Sequence, residues 1–480
     1  MSTDIINPIH AKINLFINCC SFIIVFTNAK VTLFFNLFVS LHRKITNDAD
    51  IMQTICANST SAGGAIAIIR VSGDDAISIV DKVFISQNKQ SLTDAAGYTL
   101  HFGRIVDGQD IVDEVLVTIF RAPHSYTGED SVEISCHGSS YIIQTILTLL
   151  INHGSQMAQP GEFTQRAYLN GKMDLSQAEA VADLIASSTQ ASHRLAMSQM
   201  RGGYSNTMRH LRDQLLNMTS LLELEIDFSE EDVEFADRQQ LIVLAKNIHD
   251  VITHLASTFR AGNALKNGIP VAIIGAPNVG KSTLLNQLLH DDRAIVSDQQ
   301  GTTRDLVEDS ITIGGTLFRF IDTAGIRHTT DTIERMGIER SMRAAQNAQI
   351  IIMLTEPGVP YPDIQTTDDK IIIRIENKTP TFQAINATGL DHLEAQLVEA
   401  ARTLTHTDSD IIVTNLRHQT ALLSAQQAIE TVIRQLHDST TPDIIALDLH
   451  ACIDSLSEIL GDLTSDDTLH NIFSRFCVGK

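Results

Sequence analysis

The hydrophobic pattern near the start of the chain predicts a strand-rich part. From Ile66 onward the apolar runs are short, and clusters of Gly and Asp separate AIAIIRVS, YTLHFGRI, EVLVTIF and SVEISCHG. Runs of this length between turn-forming residues are typical of β-strands. A helical stretch at 140–151 follows the last of them. We therefore predict an α+β domain over 52–170.

From Leu175 the apolar positions recur at helical spacing. They place Leu211, Leu215, Met218 and Leu222 on one helix face, as in helices that pack into a bundle. This pattern predicts a first helical part over 171–267.

Strands and helices alternate between Gly268 and about Thr403, where the strand-like runs are IPVAIIG, LFRFID, IIIML and KIIIRIE. This alternation predicts a doubly wound parallel sheet. The helical period then returns. We predict an α/β domain at 268–403 inserted into one helical bundle, whose second part is 404–480, because the ends of a domain usually lie close enough together for such an insertion.

Residues 1–51 form an apolar extension with stretches at 13–29 and 31–41. Each is shorter than the ~20 residues that a membrane-spanning helix needs. A signal peptide is one interpretation, although no clear small-residue cleavage site follows. The other is a segment upstream of a true start at Met52, where globular patterning begins.

Composition narrows the function classes. The 480 residues suffice for about three domains of ~150 residues. The net charge of −22 argues against a general nucleic-acid coat protein, which needs an excess of Lys and Arg. The six cysteines show no CxxC pair and no zinc spacing, so a disulfide scaffold or zinc module is disfavoured and a reducing compartment is favoured.

The strongest chemical signal is GAPNVGKST at 275–283, between a predicted strand and a predicted helix. This is the context that a GxxxxGK[ST] phosphate loop requires. Backbone N–H groups and the helix N-terminus would bind phosphates. Lys281 would neutralise the β- and γ-phosphates, and the Ser282 hydroxyl would bind Mg²⁺.

Two further motifs follow in the order expected of a Ras-like GTPase. GTTRD at 301–305 would supply Thr303 to the Mg²⁺, and DTAG at 322–325 would approach the Mg²⁺ and the γ-phosphate. Three motifs in this order predict an inserted P-loop GTPase domain of α/β fold.

The guanine-reading motif NKxD is incomplete. The chain has Asn377, Lys378 and Thr379, but Pro380 replaces the Asp that accepts hydrogen bonds from guanine. Loss of this carboxylate should weaken discrimination against adenine. A backbone amide at Ala387 could still contact the guanine O6 atom, and GTP remains the expected nucleotide.

Ile326 stands where Ras-type enzymes place the Gln that orients water. Asp331 and Glu334 are the candidates to replace it. Arg304 and Arg327 are more simply interpreted as solvated or structural residues.

The chemistry also requires positive charge at the β,γ-bridge. The Asn278 amide oxygen, with carbonyl groups of the loop 297–302, could hold K⁺ there. We therefore expect hydrolysis to depend on K⁺ and on the pairing of two GTPase domains.

The chain resembles the MnmE (TrmE) family of tRNA-modification GTPases over 52–480. The matching segments are GGAIAIIRVSG, YTGEDSVEISCHG, PGEFTQRAYLNGKMDLSQAEAVADLI, IDFSEEDVEF, the GTPase motifs, DTAGIRHTTDTIERMGIERS and the tail IFSRFCVGK. The resemblance implies an N-terminal domain that binds formyl-tetrahydrofolate and forms a homodimer, a helical domain, and a K⁺-dependent GTPase domain.

The resemblance also implies a pathway. With a flavin-dependent partner of the MnmG (GidA) type, in a heterotetramer, the family adds a carboxymethylaminomethyl group to carbon 5 of the tRNA wobble uridine. A cytoplasmic location without stable membrane association is expected.

The site residues implied by the motifs and the resemblance fall into five groups. The catalytic residue is Glu334, and Mg²⁺ is bound by Ser282 and Thr303. Potassium is bound by Asn278, Ser297, Gln299 and Thr302, and folate by Arg70, Glu133, Lys172 and Lys480. GTP is contacted by Asn278, Val279, Gly280, Lys281, Ser282, Thr283, Ser297, Asp298, Gln299, Gln300, Gly301, Thr302, Thr303, Asp322, Thr323, Ala324, Gly325, Asn377 and Lys378.

Some departures and alternatives stay open. The segment after the NKTP sequence is short, and Cys477 is either a packed structural thiol or a residue near the folate. A non-hydrolysing nucleotide-dependent scaffold would fit the loss of the Asp at position 380. A ribosome-assembly GTPase shares GAPNVGKSTLLN but lacks the tail. A ferrous-iron-type transporter would need long apolar spans after the GTPase domain, and the sequence has none after residue 404.

Overall fold

The computed structural model describes residues 53–61, 63–227, 237–290, 309–321, 342–364, 370–406, 411–438 and 440–479. Within them the chain divides into two compact units, 53–172 with 473–479, and 173–472. The extension at 1–51 lies outside the described residues. In the described ranges no helix combines the length and the apolar character needed to cross a membrane.

The first unit contains a seven-stranded sheet in the order β3-β4-β5-β6-β2-β1-β7. Its strands are β1 Ile55–Asn58, β2 Ile66–Ser72, β3 Phe84–Ser86, β4 Thr99–Asp107, β5 Asp110–Phe120, β6 Ser131–His137 and β7 Gln156–Met157. All neighbours are antiparallel except β7, which is parallel to β1. Helices α1 Ala76–Val83 and α2 Ser140–Asn152 share a core with one face of the sheet. Helix α3 is Glu162–Leu169. The predicted α+β architecture is confirmed.

The C-terminal tail folds with this first unit. The sequence grouped 404–480 as one helical part, whereas residues 473–479 make their contacts within the first unit. The Ser59 hydroxyl donates to the carbonyl of Gly479 at 3.0 Å, and the rings of Tyr168 and Phe473 lie 6.4 Å apart. These contacts join residues far apart in sequence. The Cys477 thiol is exposed, which excludes the packed-thiol interpretation.

The second unit holds the helical bundle. Its helices before the α/β part are α4 Leu175–Ala186, α5 Gln190–Met200, α6 Gly203–Asp227, α7 Arg238–Ser257 and α8 Phe259–Asn267. Those after it are α11 Leu416–His437, α12 Pro442–Leu460 and α13 Asp466–Phe473. Helices α6 and α7 share one apolar core with α11 and α12. The prediction that helices on both sides of 268–403 pack together is therefore confirmed.

A buried polar cluster also joins the two helical parts. The Glu179 carboxylate on α4 accepts hydrogen bonds from the Arg417 guanidinium at 3.1 and 2.9 Å, and its Oε2 lies 2.7 Å from Nε2 of His418. Arg417 also donates to the backbone carbonyls of Glu458 and Ile459 on α12. Burial alone would raise the pKa of Glu179, but His418 and Arg417 outweigh it and lower the pKa to about 2.

Between the helical parts lies a five-stranded sheet in the order β12-β11-β8-β10-β9. Its strands are β8 Ile269–Gly275, β9 Asp309–Ile313, β10 Thr316–Phe320, β11 Ile350–Thr355 and β12 Ile371–Glu376, and its helices include α9 Lys281–His290 and α10 Leu390–Thr405. Alternate residues of β8 enter two separate cores, Val271 and Ile273 in one and Ala272 and Ile274 in the other. Both faces of the sheet are therefore covered, as predicted.

The prediction of a wholly parallel sheet is wrong at one edge. Strand β9 pairs antiparallel with β10, whereas β8, β10, β11 and β12 are mutually parallel. Only Gly314 and Gly315 separate β9 from β10. Two residues suffice for a hairpin but not for the crossover that parallel neighbours need.

The Glu179 cluster predicts how stability depends on pH. Because the pKa of Glu179 is lowered on folding, its contribution is present above the unfolded value near 4.5 and is lost as pH falls towards 2. We expect Glu179→Gln to lower the free energy of unfolding near neutral pH by about 3 kcal/mol or more. The difference from the parent chain should shrink below pH 4. Urea unfolding followed by helical circular dichroism measures both.

Glu430→Gln is the matched control. Glu430 is half-exposed on α11 and contacts His249, so its loss should change stability little. Equal losses in the two variants, or a Glu179→Gln effect that is the same at pH 7 and pH 3, would contradict the assignment.

Candidate nucleotide site

The phosphate-loop motif connects the end of β8 to the start of α9. Asn278 and Gly280 have φ angles of +64° and +102°. A side chain at position 280 would place its Cβ 2.4 Å from Nδ2 of Asn377, so glycine is required there. The sequence-predicted residues Asn278–Thr283 therefore lie together in a strand–loop–helix unit.

Lys281 begins α9 and folds back over the loop. Its Nζ donates to the carbonyls of Gly275 at 2.7 Å and Ala276 at 2.8 Å. Burial lowers the pKa of its ammonium group. Ser282 and Thr283 follow in the first turn of the helix and remain partly exposed. The unpaired amides and the dipole of a helix N-terminus favour anions, so this arrangement can bind phosphate.

The side chain of Asn377 joins the phosphate loop to the end of β12. Its Nδ2 donates to the carbonyl of Val279 at 2.8 Å, and its Oδ1 accepts from the backbone N–H of Ala384 at 2.9 Å. The residue is only 4% exposed. Its observed partners are thus backbone groups on both sides, and a contact with the base stays a prediction.

Lys378, the next residue, has a φ of +62°. Its Nζ lies 2.5 Å from Oε1 of Glu356, which directly follows β11. The sequence did not single out Glu356, because the strand that it follows carries no motif. Ala387, the predicted O6 contact, has a φ of +55° and follows a short 3₁₀ turn, Ala384–Asn386.

Pro380 lies in a tight turn. The backbone N–H of Thr379 donates to the carbonyl of Phe382 at 3.1 Å, and the backbone N–H of Phe382 donates to the Thr379 hydroxyl at 3.0 Å. This turn leads straight into the 3₁₀ turn that contacts Asn377.

Several predicted site residues lie outside the described residues. They are Ser297, Asp298, Gln299, Gln300, Gly301, Thr302, Thr303, Asp322, Thr323, Ala324, Gly325, Glu334 and Lys480, together with the alternatives Arg304, Arg327 and Asp331. Strand β10, whose last residue pairs with Val271 of β8, ends two residues before Asp322.

The first unit brings two of the predicted folate residues together. Arg70 on β2 and Glu133 on β6 are direct cross-strand neighbours. The Arg70 guanidinium donates to Glu133 Oε1 at 3.0 and 2.8 Å. Its central carbon lies 5.3 Å from the ring centre of Tyr126 and 5.7 Å from that of Phe163. Burial raises the pKa of Tyr126.

Lys172 contacts the loop that carries Tyr126. Its Nζ donates to the carbonyl of Pro123 at 2.9 Å. The sequence did not identify Tyr126 and Phe163 as site residues. A signal was present, because both lie in segments that carried the family resemblance.

Comparison with known families matches nearly the whole described chain. The model described as the GTP-binding protein TrmE N-terminus matches residues 54–172, and the MnmE helical domain matches residues 175–477. The second match spans the inserted α/β part as well as both helical parts.

Three relatives carry the name tRNA modification GTPase MnmE. Those from Bacteroides fragilis (strain YCH46) and Bacteroides thetaiotaomicron are each 52% identical over 462 positions, and the one from Christiangramia forsetii is 46% identical over 470. Each alignment covers 89% of this chain and 99% of the relative.

The alignment lengths reveal a deletion in this chain. In the first comparison 462 positions are aligned, but 89% of 480 residues is only about 427, so about 35 positions of the relative have no counterpart here. The identity and coverage nevertheless leave no doubt about the relationship. The chain belongs to the MnmE (TrmE) family, whose members compared here are named tRNA modification GTPases.

Proposed function

We propose that this chain is a GTP hydrolase that acts in tRNA modification and binds its nucleotide at the loop 275–283. The observation that carries the proposal is the strand–loop–helix unit itself. Lys281 stands at the first turn of α9, and Asn377 holds the loop backbone at Val279.

In this mechanism the chain binds and orients the phosphates. The loop amides and the N-terminus of α9 bind the β- and γ-phosphates, and Lys281 neutralises their charge. Ser282 and Thr303 would hold Mg²⁺, which prefers oxygen ligands and, when bound, offsets charge on the phosphate oxygens. The hydroxyl of Ser282 fits this role because it lies in the helix turn that begins with Lys281.

Two further roles belong to the same proposal. Asn278, in its left-handed conformation within the loop, offers an amide oxygen for K⁺, with Ser297, Gln299 and Thr302 as its partners. A cation there would stabilise negative charge in the transition state, as an arginine finger does in other GTPases, where it raises the hydrolysis rate ~10³–10⁵-fold. Glu334 would orient the attacking water, and contact with a second GTPase domain would order the cation site.

The first unit would bind formyl-tetrahydrofolate as the one-carbon donor. The Arg70–Glu133 pair retains exposed fractions of 21% and 28%, so a ligand can reach both groups. The carboxylate suits the N–H donors of a pterin, and the rings of Tyr126 and Phe163 suit its flat face. Lys172 and Lys480 would take the acidic glutamate tail.

The proposal includes partners. A homodimer through the first unit is supported by exposed apolar residues on β4 and β5, among them Phe102 and its cross-strand neighbour Leu116. A heterotetramer with a flavin-dependent MnmG (GidA)-type protein would add the carboxymethylaminomethyl group to carbon 5 of the tRNA wobble uridine. Work on tRNA fits a cytoplasmic location.

Nucleoside analysis of tRNA from cells that lack this chain tests the function. We expect the modified wobble uridine to disappear and to return with the parent chain but not with Lys281→Ala. An unchanged nucleoside profile would overturn the proposal. The second candidate function is a non-hydrolysing nucleotide-dependent scaffold, because Pro380 replaces the Asp of the guanine-reading motif. K⁺-stimulated GTP turnover by the purified chain would exclude this second candidate.

Glu334→Ala should leave GTP binding near normal and lower turnover ~10²-fold or more, the range for a lost positioning or general-base group. Phosphate release under saturating GTP measures the rate, with Asp331→Ala as the control. Full turnover in Glu334→Ala together with loss in Asp331→Ala would transfer the role to Asp331.

Asn278→Ala should remove the difference between K⁺ and Na⁺ in the GTP turnover rate, because the cation would lose its amide ligand. Binding of Mg²⁺–GTP should persist. Asn286→Ala, an exposed substitution on α9, is the matched control and should keep the K⁺ response. Equal rates in K⁺ and Na⁺ for the parent chain would refute this mechanism.

Glu133→Gln should weaken binding of 5-formyl-tetrahydrofolate tenfold or more, because it removes the charge that faces Arg70 and the acceptor for the pterin. Titration calorimetry measures the affinity. Asp107→Asn, at an exposed end of β4, is the control. Unchanged affinity in Glu133→Gln would remove this residue from the folate site.

A further inference from the structure

We infer that the nucleotide site of this chain selects weakly between purine bases and accepts ATP and ITP nearly as well as GTP. This inference rests on the proposed function, since it concerns the base end of the site whose phosphate end is described above. Four features of the described residues support it.

The first feature is where the base must lie. Strands β8, β11 and β12 are parallel neighbours, and their carboxyl ends meet at one edge of the sheet, where Thr355 pairs with Glu376. Ligands of open α/β sheets bind beyond this edge. The loop 377–387 lies next to the phosphate loop there, held by Asn377, so a nucleotide that extends from the phosphate loop along this edge meets it.

The second feature is the lack of a carboxylate in that loop. Guanine presents N–H donors at N1 and N2, whereas adenine presents an acceptor at N1, so selection of guanine needs an acceptor at this edge. From Asn377 to Leu390 the sequence contains no Asp or Glu. Pro380 stands in the turn and offers neither a side-chain acceptor nor a backbone N–H.

The third feature is that the nearby polar groups already have partners. Both ends of the Asn377 amide bond to backbone, at Val279 and Ala384. The carboxylate of Glu356 holds the Lys378 ammonium. Asn377 is therefore a positioning residue that joins the two loops.

The carboxylate of Glu376 does not replace the missing acceptor. Glu376 is the last residue of β12 and is exposed. Successive side chains along an extended chain point to opposite sides, so Glu376 points away from the side on which Asn377 meets the phosphate loop.

The fourth feature is the length of the loop. Only six residues separate Asn377 from Ala384, and β12 is an edge strand of the sheet in the described part of the chain. A segment of this length offers few side chains with which to enclose a base.

The expected selectivity follows from the remaining interactions. A site built on matched hydrogen bonds rejects the wrong analogue by 10⁴–10⁵. A single neutral hydrogen bond, worth about 1 kcal/mol, discriminates only about fivefold. We therefore expect the affinities for GTP, ITP and ATP to agree within about tenfold.

Competition of GTP, ITP and ATP against a fluorescent GTP analogue tests this on the full chain with Mg²⁺ and K⁺. Dissociation constants within tenfold of one another support the inference, and a GTP preference above tenfold over either competitor overturns it. ITP is the sharper probe, because it differs from GTP only in the N2 amino group.

Pro380→Asp tests the cause, with Pro380→Asn as its uncharged match. The carboxylate should raise the preference for GTP over ATP at least tenfold, whereas the amide should not. An unchanged ratio in a folded Pro380→Asp variant would overturn the assignment to this position. The comparison of the three nucleotides on the parent chain decides the inference even if this variant does not fold.

A third experiment, with Glu356→Gln, tests whether Glu356 supplies the acceptor for guanine. If it weakens GTP binding tenfold and leaves ATP binding unchanged, Glu356 supplies the acceptor and the inference is wrong. Failure of the proposed function looks different, because then none of the three nucleotides would bind with an affinity that Lys281→Ala reduces. Selective GTP binding would leave the proposed function standing and remove only this inference.

Discussion

The buried carboxylate of Glu179 is the contact on which the second unit depends. It meets Arg417 and His418 across more than two hundred residues of intervening sequence and so joins α4 to α11. The apolar core of the bundle could be built by several helix pairings, because apolar packing has little directional preference. A paired buried charge permits far fewer arrangements, since a misaligned partner would leave the charge uncompensated. The cluster therefore favours one arrangement of α4 against α11 and α12.

Separate contacts attach the two ends of the inserted α/β part to the helical bundle. Helix α8 leads into β8, and the Lys266 ammonium at its end lies 2.7 Å from the Asp183 carboxylate on α4. On the return side, the backbone N–H of Val413 donates to the buried Thr258 hydroxyl at 3.0 Å. Both ends of the insertion are thus attached to the bundle by specific contacts. The phosphate loop follows β8 directly, so the contacts between the insertion and the bundle also support this loop.

The sequence predicted those features that depend on a pattern among residues close together in the chain. The change of period at Leu175 revealed the helical part, and the phosphate loop was evident because its function needs a fixed spacing between Gly275 and Lys281. Features that depend on contacts between distant residues have no local pattern in the sequence. The tail at 473–479 and the pairing of Lys378 with Glu356 depend on contacts that no periodicity encodes. The Arg70–Glu133 pair was found only through the family resemblance, since sixty-three residues separate its members.

The two ends of the proposed nucleotide site rest on different elements, so one end could change without the other. In the proposal, phosphate binding uses β8, the loop after it and α9, which contribute Val279 and Leu284 to one apolar core. Base recognition would use the segment after β12, at the edge of the sheet. Asn377 connects the two through a single side chain. As long as this residue keeps the phosphate loop in shape, the segment beyond it can shorten and lose its carboxylate while the phosphate site stays intact. Selection on hydrolysis alone would preserve Asn377 and tolerate Pro380.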